Sequence, residues 1–260
     1  VRLSGTKADG WTIDEAREAM ERGDMLFAGK YSAPDYELIL KERCDLAIES
    51  TMIYHSPAIS EKLEGYGIPV LIERSSYEED PLGRMEWIKV YGAILGCEEE
   101  AAALFDAEAD AVEAIGGLPK SGKTVAFFYV TGTGAVNVRK SGDYVVKMIE
   151  AAGGEYVFSD LSSGSALSTV NMTMESFYTG AKDADVLIYN SSIDGEIYTV
   201  DELLDKNPLF SEFRAVQNGD VWCTGKNLFQ APMGLGKLIA DFYRVLSGEE
   251  DGLVYLHKLN

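Results

Sequence analysis

The chain has 260 residues, enough for one large domain or two small ones, and its 46% hydrophobic and 25% charged side chains suit a globular protein that buries a sizeable core. Its 43 acidic residues against 23 basic ones give a net charge of -20, which excludes a nucleic-acid-binding surface and would repel anionic lipid headgroups. Three scattered cysteines (Cys44, Cys97, Cys223) without C-x-x-C spacing, and only two histidines (His55, His257), argue against a disulfide framework, a structural zinc centre and a His-rich metal site.

The opening VRLSGTKADGW reads as a strand running into a loop with no leader ahead of it, as expected of a mature or truncated chain whose first element lies upstream. No run of 18 apolar residues follows. Residues 44–51 (CDLAIEST) predict a strand ending in a Ser/Thr loop. Residues 56–67 predict a helix with Pro57 in its first turn and Gly65 or Gly67 at its end, and 68–76 predict the next strand. The three form a β-α-β unit, hence a parallel pair with a right-handed crossover.

From Met85 to Ile115 the chain lacks proline and is rich in Ala, Glu and Leu, with apolar residues spaced near a 3.6 period (Trp87, Tyr91, Ile94, Leu95, Leu104, Phe105, Val112). One helix of about 45 Å is predicted. It serves either as a strut between two halves or as a long surface helix of one. After it come a strand (124–132), a helix (142–154) closed by Gly153 and Gly154, and a strand (155–160). A strand (184–192), a helical stretch broken near Pro208, and a strand (220–225) complete the second half.

Between the central helix and this second half, Gly117, Gly122, Lys123 and Thr124 spell G-x-x-x-x-G-K-T, the letters of a nucleotide-binding P-loop. A working P-loop follows a strand and opens a helix, whose amino end holds the phosphates. Here a helix precedes Gly117 and a β-rich run, TVAFFYV, follows Lys123, while Pro119 removes an amide from the loop. The stretch therefore reads as a Gly/Pro turn leading into a strand.

Ligands of doubly wound sheets meet the loops beyond the carboxyl ends of the strands. Those loops are read at 4–11, 29–37, 50–57, 73–84, 131–144, 159–173, 190–199 and 225–234, and they are rich in Tyr, Ser, Asn and Gly. Such a composition suits a cleft for a bulky, partly aromatic or chelated ligand. The candidate ligand-binding residues are Tyr31, Met52, Tyr54, His55, Arg74, Tyr77, Arg139, Tyr144 and Asn190. Each has a plainer reading: His55 as a helix-start histidine with local hydrogen bonds, the arginines as surface salt-bridge partners, the tyrosines as core. No G-x-S-x-G elbow and no H-E-x-x-H motif is present, so no catalytic set is expected.

The segments GKYSAPDYELILKERCDLAIEST, EKLEGYGIPVLIE, DPLGRMEWIKVYGAILGCEEEAAALF, GKTVAFFYVTGTGAVNVRKSGDYVVKMIEAAGGEYVF and ADVLIYNSS resemble, in order, the substrate-binding proteins of ABC importers for iron-siderophore, haem and corrinoid complexes (class III periplasmic binding proteins). The likeness covers most of residues 25–245. It implies an α/β fold of two Rossmann-like lobes joined by one long interlobe α-helix: an N-terminal lobe over 1–84, the helix over 85–116 and a C-terminal lobe over 117–260. It also implies a ligand held between the lobes and little hinge motion.

The resemblance further implies an extracytoplasmic, monomeric lipoprotein with its lipid anchor upstream of Val1. Its partners would be a metal chelate, a ferric siderophore or haem, and an ABC permease dimer with its ATPase. No resident cofactor or metal is implied. An acidic residue on each lobe would dock on the permease. Glu61 is the nearest match in the first lobe, where Pro57 and Ala58 stand at the expected place, and Glu196, Asp201 and Glu202 are the candidates in the second. The alternatives are a corrinoid importer component, a ligand-sensing domain without transport, and a cofactor-handling enzyme on the same fold, which would need a thiolate or an acid-base set.

Overall fold

The computed structural model describes residues 2–162 and 168–260. The chain divides into two compact units, one ending at Glu78 and one spanning Glu79–Asn260.

The first unit is built from two β-α-β turns. Strand β1 (Arg2–Ser4) leads through helix α1 (Asp14–Glu21) to β2 (Met25–Phe27), and β1 and β2 pair in parallel with Leu3 beside Leu26. A short hairpin, β3 (Gly29–Lys30) with β4 (Ala33–Pro34), then precedes α2 (Tyr36–Lys41), whose first turn is capped by Asp35 accepting from the Leu38 amide at 3.0 Å. The second turn is β5 (Ala47–Ser50), α3 (Pro57–Gly65) and β6 (Val70–Glu73), with β5 and β6 parallel. These bounds match the predicted strand, Pro-started helix and strand. Helices α1 and α2 did not stand out in the sequence because each is short. The buried core of this unit is small: a cluster of Ala28, Ile39, Leu63 and Ile68, with Ala19 and Ile53 buried apart from it.

The second unit opens with α4 (Pro81–Glu86), α5 (Ile88–Leu95) and α6 (Glu98–Gly116). The continuous helix predicted across 85–116 is therefore three segments, and two glycines explain the main break. Gly96 adopts φ +72°, left-handed, and ends α5, with the Cys97 amide donating to the Gly92 carbonyl at 2.9 Å in a Schellman-type turn. Gly92 lets α6 lie close, since a Cβ there would stand 2.5 Å from the Ala101 Cβ. Helix α5 thus packs on α6, with the Lys89 ammonium 3.9 Å from the Phe105 ring. A pattern of apolar spacing alone does not register such a fold-back. Met85 is fully buried in the second unit's core, so these helices fold with residues 117–260, and the boundary falls ahead of the predicted break after 84.

Next come β7 (Thr124–Val130), β8 (Val136–Arg139), α7 (Tyr144–Ala151), β9 (Glu155–Tyr156), β10 (Thr169–Met172) and α8 (Met174–Ala181). They are followed by β11 (Val186–Tyr189), α9 (Val200–Lys206), α10 (Arg214–Asn218), β12 (Val221–Thr224), α11 (Leu235–Ser247) and β13 (Leu256–Lys258). Among the described residues seven strands form one sheet, ordered β10-β8-β7-β11-β12-β13 with β9 on β7. The run β7-β11-β12 is parallel, and β8, β10 and β13 add antiparallel pairings. Central parallel strands are covered on both faces, which is why VAFFYV and VLIY are almost uninterrupted apolar runs. Under them Phe128 stacks on Phe210 at 5.3 Å and on Phe177 at 4.7 Å, with Phe213 5.6 Å from Phe177.

The P-loop letters lie between the end of α6 and the start of β7, so a helix precedes them and a strand follows, as predicted. Residues 131–144, read as one loop, instead contain a turn and β8, whose Val136 and Val138 are buried. Residues 169–172 of the predicted 159–173 loop are β10, while residues 163–167 lie outside the described residues.

Two carboxylates, one buried and one partly exposed, tie the second unit together. Asp241 on α11 is fully buried, and its Oδ2 accepts from the amides of Val254, Tyr255 and Leu256 at 2.9, 2.6 and 3.2 Å. Burial pushes its carboxyl up, against the pull of those amides and of Arg244. Replacing Asp241 by Ala orphans three amides and should cost about 3 kcal/mol in denaturant unfolding, and Asn, which keeps an acceptor, should cost clearly less. Asp185 accepts from the Thr124 amide and hydroxyl at 2.8 and 2.9 Å and pairs with Arg214 at 2.9 Å. Burial pushes the Asp185 carboxyl up, but these partners outweigh it and hold it below the usual value. A depressed folded value gives stability that is present above the unfolded value and lost as pH falls through the folded one. Because Asp185 and Arg214 are both partly solvent-screened, Asp185→Asn should cost at most about 1 kcal/mol at neutral pH, with the gap to the parent protein closing below about pH 4.

Candidate functional site

Parallel pairing sends the loops after β1, β2, β5 and β6 out from carboxyl ends, and in the first unit most of the candidate residues sit there. Ser4, Gly5 and Thr6 after β1, Ala28 to Tyr31 after β2, and Ile48 to Ser50 at the end of β5 surround a pocket of about 300 Å³. Tyr31 is therefore brought to the same place as the end of β5. Beyond β5 the chain makes a 3-10 turn, Thr51–His55, whose Ile53 is 1% exposed and plugs the interior. With Ile53 turned in, Met52, Tyr54 and His55 are left exposed. The plain reading of His55 as part of a local turn fits its place at the end of this 3-10 segment.

Beyond β6, Glu73 Oε1 accepts from the Ser75 amide at 2.7 Å and fixes a second 3-10 turn, Ser75–Tyr77. On it the Arg74 guanidinium lies 5.2 Å from the centre of the Tyr77 ring, and both side chains are exposed. A guanidinium beside an aromatic face is a unit that can pair with an oxyanion and flank a flat ligand together.

In the second unit the candidates are more deeply engaged. The β7–β8 register places Val138 beside Phe128, so Arg139 comes level with Phe127, in the middle of β7 rather than at its carboxyl end. Its guanidinium is 5.7 Å from the Phe127 ring and 3.5 Å from the buried Asp143, and its main chain exchanges two hydrogen bonds with the Tyr156 hydroxyl at 3.0 and 2.9 Å. Asp143 in turn caps α7 by accepting from the Val145 amide. Tyr144 packs under the Arg84 guanidinium at 3.8 Å, and burial pushes its phenol up, against the opposing pull of Arg139 and Arg84. Asn190, just past β11, is 2% exposed, and its Oδ1 accepts from the Ser192 amide at 3.2 Å. Arg139, Tyr144 and Asn190 each hold local structure, unlike the exposed residues of the first unit.

Sequence reading missed the polar latch at the carboxyl ends of β11 and β12. The Ser191 amide donates to Thr224 Oγ1 at 2.9 Å, and the two hydroxyls lie 3.1 Å apart, both residues being buried. The available signal was a hydroxyl residue two places past an apolar strand, in YNSS, and at the end of one, in VWCTG.

The acidic candidates also differ in what holds them. Glu61 is exposed on α3. Glu202 forms a capping box with Thr199, its Oε2 accepting from the amides of Tyr198 and Thr199 at 2.7 and 2.9 Å, and those bonds hold its carboxyl below the usual value. Glu196 is half-buried next to Tyr198, whose phenol its charge pushes up. Asp201 is exposed in the first turn of α9.

A nucleophilic thiolate is not prepared at the buried cysteine. Cys223 lies within β12, its thiol is pushed up to about 11 by burial, and its Sγ donates to the Thr224 carbonyl. Among the described residues no group of three His, Cys, Asp or Glu side chains is placed to hold a metal ion, and no helix is long and apolar enough to cross a membrane.

Comparison with known proteins agrees with this architecture. The family described as periplasmic binding protein matches residues 3–228. An uncharacterized lipoprotein of Methanocaldococcus jannaschii is 30% identical over 254 residues, covering 94% of this chain and 58% of the relative. A second lipoprotein of that organism is covered over 64% of its length, so the chain spans less than two thirds of either relative. Among solved structures, a periplasmic haem-binding protein of Vibrio cholerae superposes with a TM-score of 0.68 at 18% identity, covering 84% of each chain. An ABC-type Fe3+-hydroxamate transport protein of Saccharomonospora viridis superposes with a TM-score of 0.65 at 20% identity, covering 95% of this chain and 84% of that one. With a family match over most of its length and this α/β fold, the chain belongs to the periplasmic binding protein family.

Proposed function

We propose that this protein captures a metal chelate, a ferric siderophore or haem, outside the cytoplasm and delivers it to an ABC importer. The observation that carries the reading is the set of exposed aromatic, thioether, imidazole and guanidinium side chains at the strand ends of the first unit: Met52, Tyr54, His55, Arg74 and Tyr77. Flat or chelated ligands with peripheral oxyanions are recognised by such pairs of ring and cation, and exposure leaves these side chains able to meet one. The binding step is capture without chemistry. Tyr31, Arg139, Tyr144 and Asn190 belong to the proposed ligand-binding set, the last three held in place by neighbours.

The docking surface of the proposal uses Glu61 on the first unit. On the second, Asp201 and Glu196 are better placed than Glu202, whose carboxylate is spent on the α9 cap. An exposed carboxylate pairs with a transporter arginine without first breaking a local bond.

Titration with haem, ferric siderophores of hydroxamate and catecholate type, cobinamide and cobalamin, followed by absorbance and thermal shift, should show at least one binder at micromolar affinity or better. A protein that binds none of them does not handle this ligand class. For the ligand found, Arg74→Ala should weaken binding about tenfold, equivalent to ~1.4 kcal/mol, while leaving the melting temperature of the free protein unchanged. Glu61→Lys should lower uptake through the reconstituted importer while leaving ligand affinity intact. An equal loss of both would remove Glu61 from the docking surface.

A further inference from the structure

Two asparagines of the chain open an Asn-x-Ser/Thr triplet with no proline at its centre: Asn171, followed by Met172 and Thr173, and Asn190, followed by Ser191 and Ser192. The triplet is the acceptor pattern for a sugar joined to the asparagine amide nitrogen. As letters the two are equivalent, and the structure separates them by access. Asn190 is 2% exposed, its Oδ1 accepts from the Ser192 amide, and the next residue, Ser191, is locked to Thr224. An enzyme reaches that amide only by opening the carboxyl end of β11.

Asn171 stands on β10, which closes one end of the seven-stranded sheet and, among the described residues, pairs with β8 alone. Both Asn171 and Thr173 are exposed. The Asn171 Oδ1 accepts from Asn137 Nδ2 at 2.7 Å, and Asn137 itself is buried. That bond holds the carbonyl arm of the Asn171 amide against the sheet. The other arm, Nδ2, takes no protein acceptor among the described residues. A sugar on Nδ2 replaces one hydrogen and leaves Oδ1 able to keep its bond to Asn137. Asn171 also borders an open groove of about 720 Å³, whose walls include Thr133, Thr173, Glu175, Ser176 and Asn207. Hydroxyl, amide and carboxylate groups of this kind are the partners that sugar hydroxyls take.

We propose that Asn171 is an N-glycosylation site, its first sugar seated in this groove, and that Asn190 is not modified. The donor is an oligosaccharide carried on a polyprenyl phosphate. Nδ2 bonds to the anomeric carbon as the bond from that carbon to the phosphate oxygen breaks. The amide proton leaves to a base of the transferring enzyme, and the lipid phosphate departs. A hydrated glycan at this place also covers the outer edge of β10, whose main-chain groups are otherwise open to a strand of another molecule. The inference rests on the extracytoplasmic location proposed above and on no property of the ligand.

Peptide mass mapping of the full natural polypeptide, recovered from fractionated cells that make it, tests the site. In the extracytoplasmic fraction the peptide holding Asn171 should carry a sugar mass, and the peptide holding Asn190 should have the mass of its sequence. Asn171→Gln and Thr173→Ala should each abolish the added mass. Thr173→Ser should retain it, since serine keeps both the acceptor triplet and the hydroxyl that caps α8. An unmodified Asn171 in extracytoplasmic protein overturns the site and leaves the proposed function standing. Protein confined to the cytoplasm, with both peptides unmodified, overturns the two together. A sugar on Asn190 overturns the assignment by access.

Discussion

Parallel strand pairing is the constraint on which the rest of this molecule depends. A parallel ladder needs a crossover for every strand, and the crossovers here are helices that cover the sheet. In the second unit this buries β7 and β11 on both faces and brings the Phe128, Phe177, Phe210 and Phe213 rings together. The same rule sends every carboxyl end of a parallel set to one rim, where no further pairing is required and loop composition is free. The exposed rings and cations of the first unit stand at such ends, and so does the Ser191–Thr224 latch of the second.

The two units meet that constraint unequally. The second has a large apolar core, edge strands supplied by β10 and β13, and the buried Asp241, which collects the amides of Val254, Tyr255 and Leu256 where the chain enters β13. Few of its polar candidates are idle: Arg139, Asp143 and Tyr156 satisfy one another, and Asn190 closes its own turn. The first unit keeps a core cluster of only four buried apolar residues and leaves its ring-bearing turns outside, pinned by single plugs such as the buried Ile53. Rigidity and recognition are thus divided, with one unit mostly scaffold and the other presenting most of the unengaged side chains.

What could be read in the sequence follows the same division. Uniform apolar runs with a polar end (CDLAIEST, TVAFFYV, ADVLIYN) announced their strands, and Pro57 announced a helix start, because each signal is local. The failures were all tertiary. The spacing of apolar residues in 85–116 is helical throughout, yet Gly92 and Gly96 allow the chain to fold back, and only the approach of Ala101 shows why. In VNVR the valines are two apart, as in any half-buried strand, but surrounding Gly, Thr and Ser made the stretch look like loop until β7 paired with it. For the site, residue type was legible and engagement was not. Arg74 and Arg139 look alike as letters, and only structure separates an exposed guanidinium beside a tyrosine from one held by a buried aspartate.

Charge sets the last condition on any ligand. A net charge of -20 surrounds the molecule with a potential that disfavours anions at long range, and physiological salt confines that field to about 8 Å. A siderophore carboxylate or a haem propionate approaching through it gains little until it lies next to a specific cation. Recognition of such groups would therefore be short-ranged, and under the proposed function the Arg74–Tyr77 pair has the form this requires: an exposed guanidinium with an aromatic ring 5.2 Å away. The P-loop letters illustrate the converse. Lys123 is also a cation in a glycine-rich turn, but it precedes a strand, with no helix amino end behind it to add to its charge, so the pattern collects no phosphate site. Position in the fold, more than residue type, decides which of the few basic side chains of this acidic protein can act.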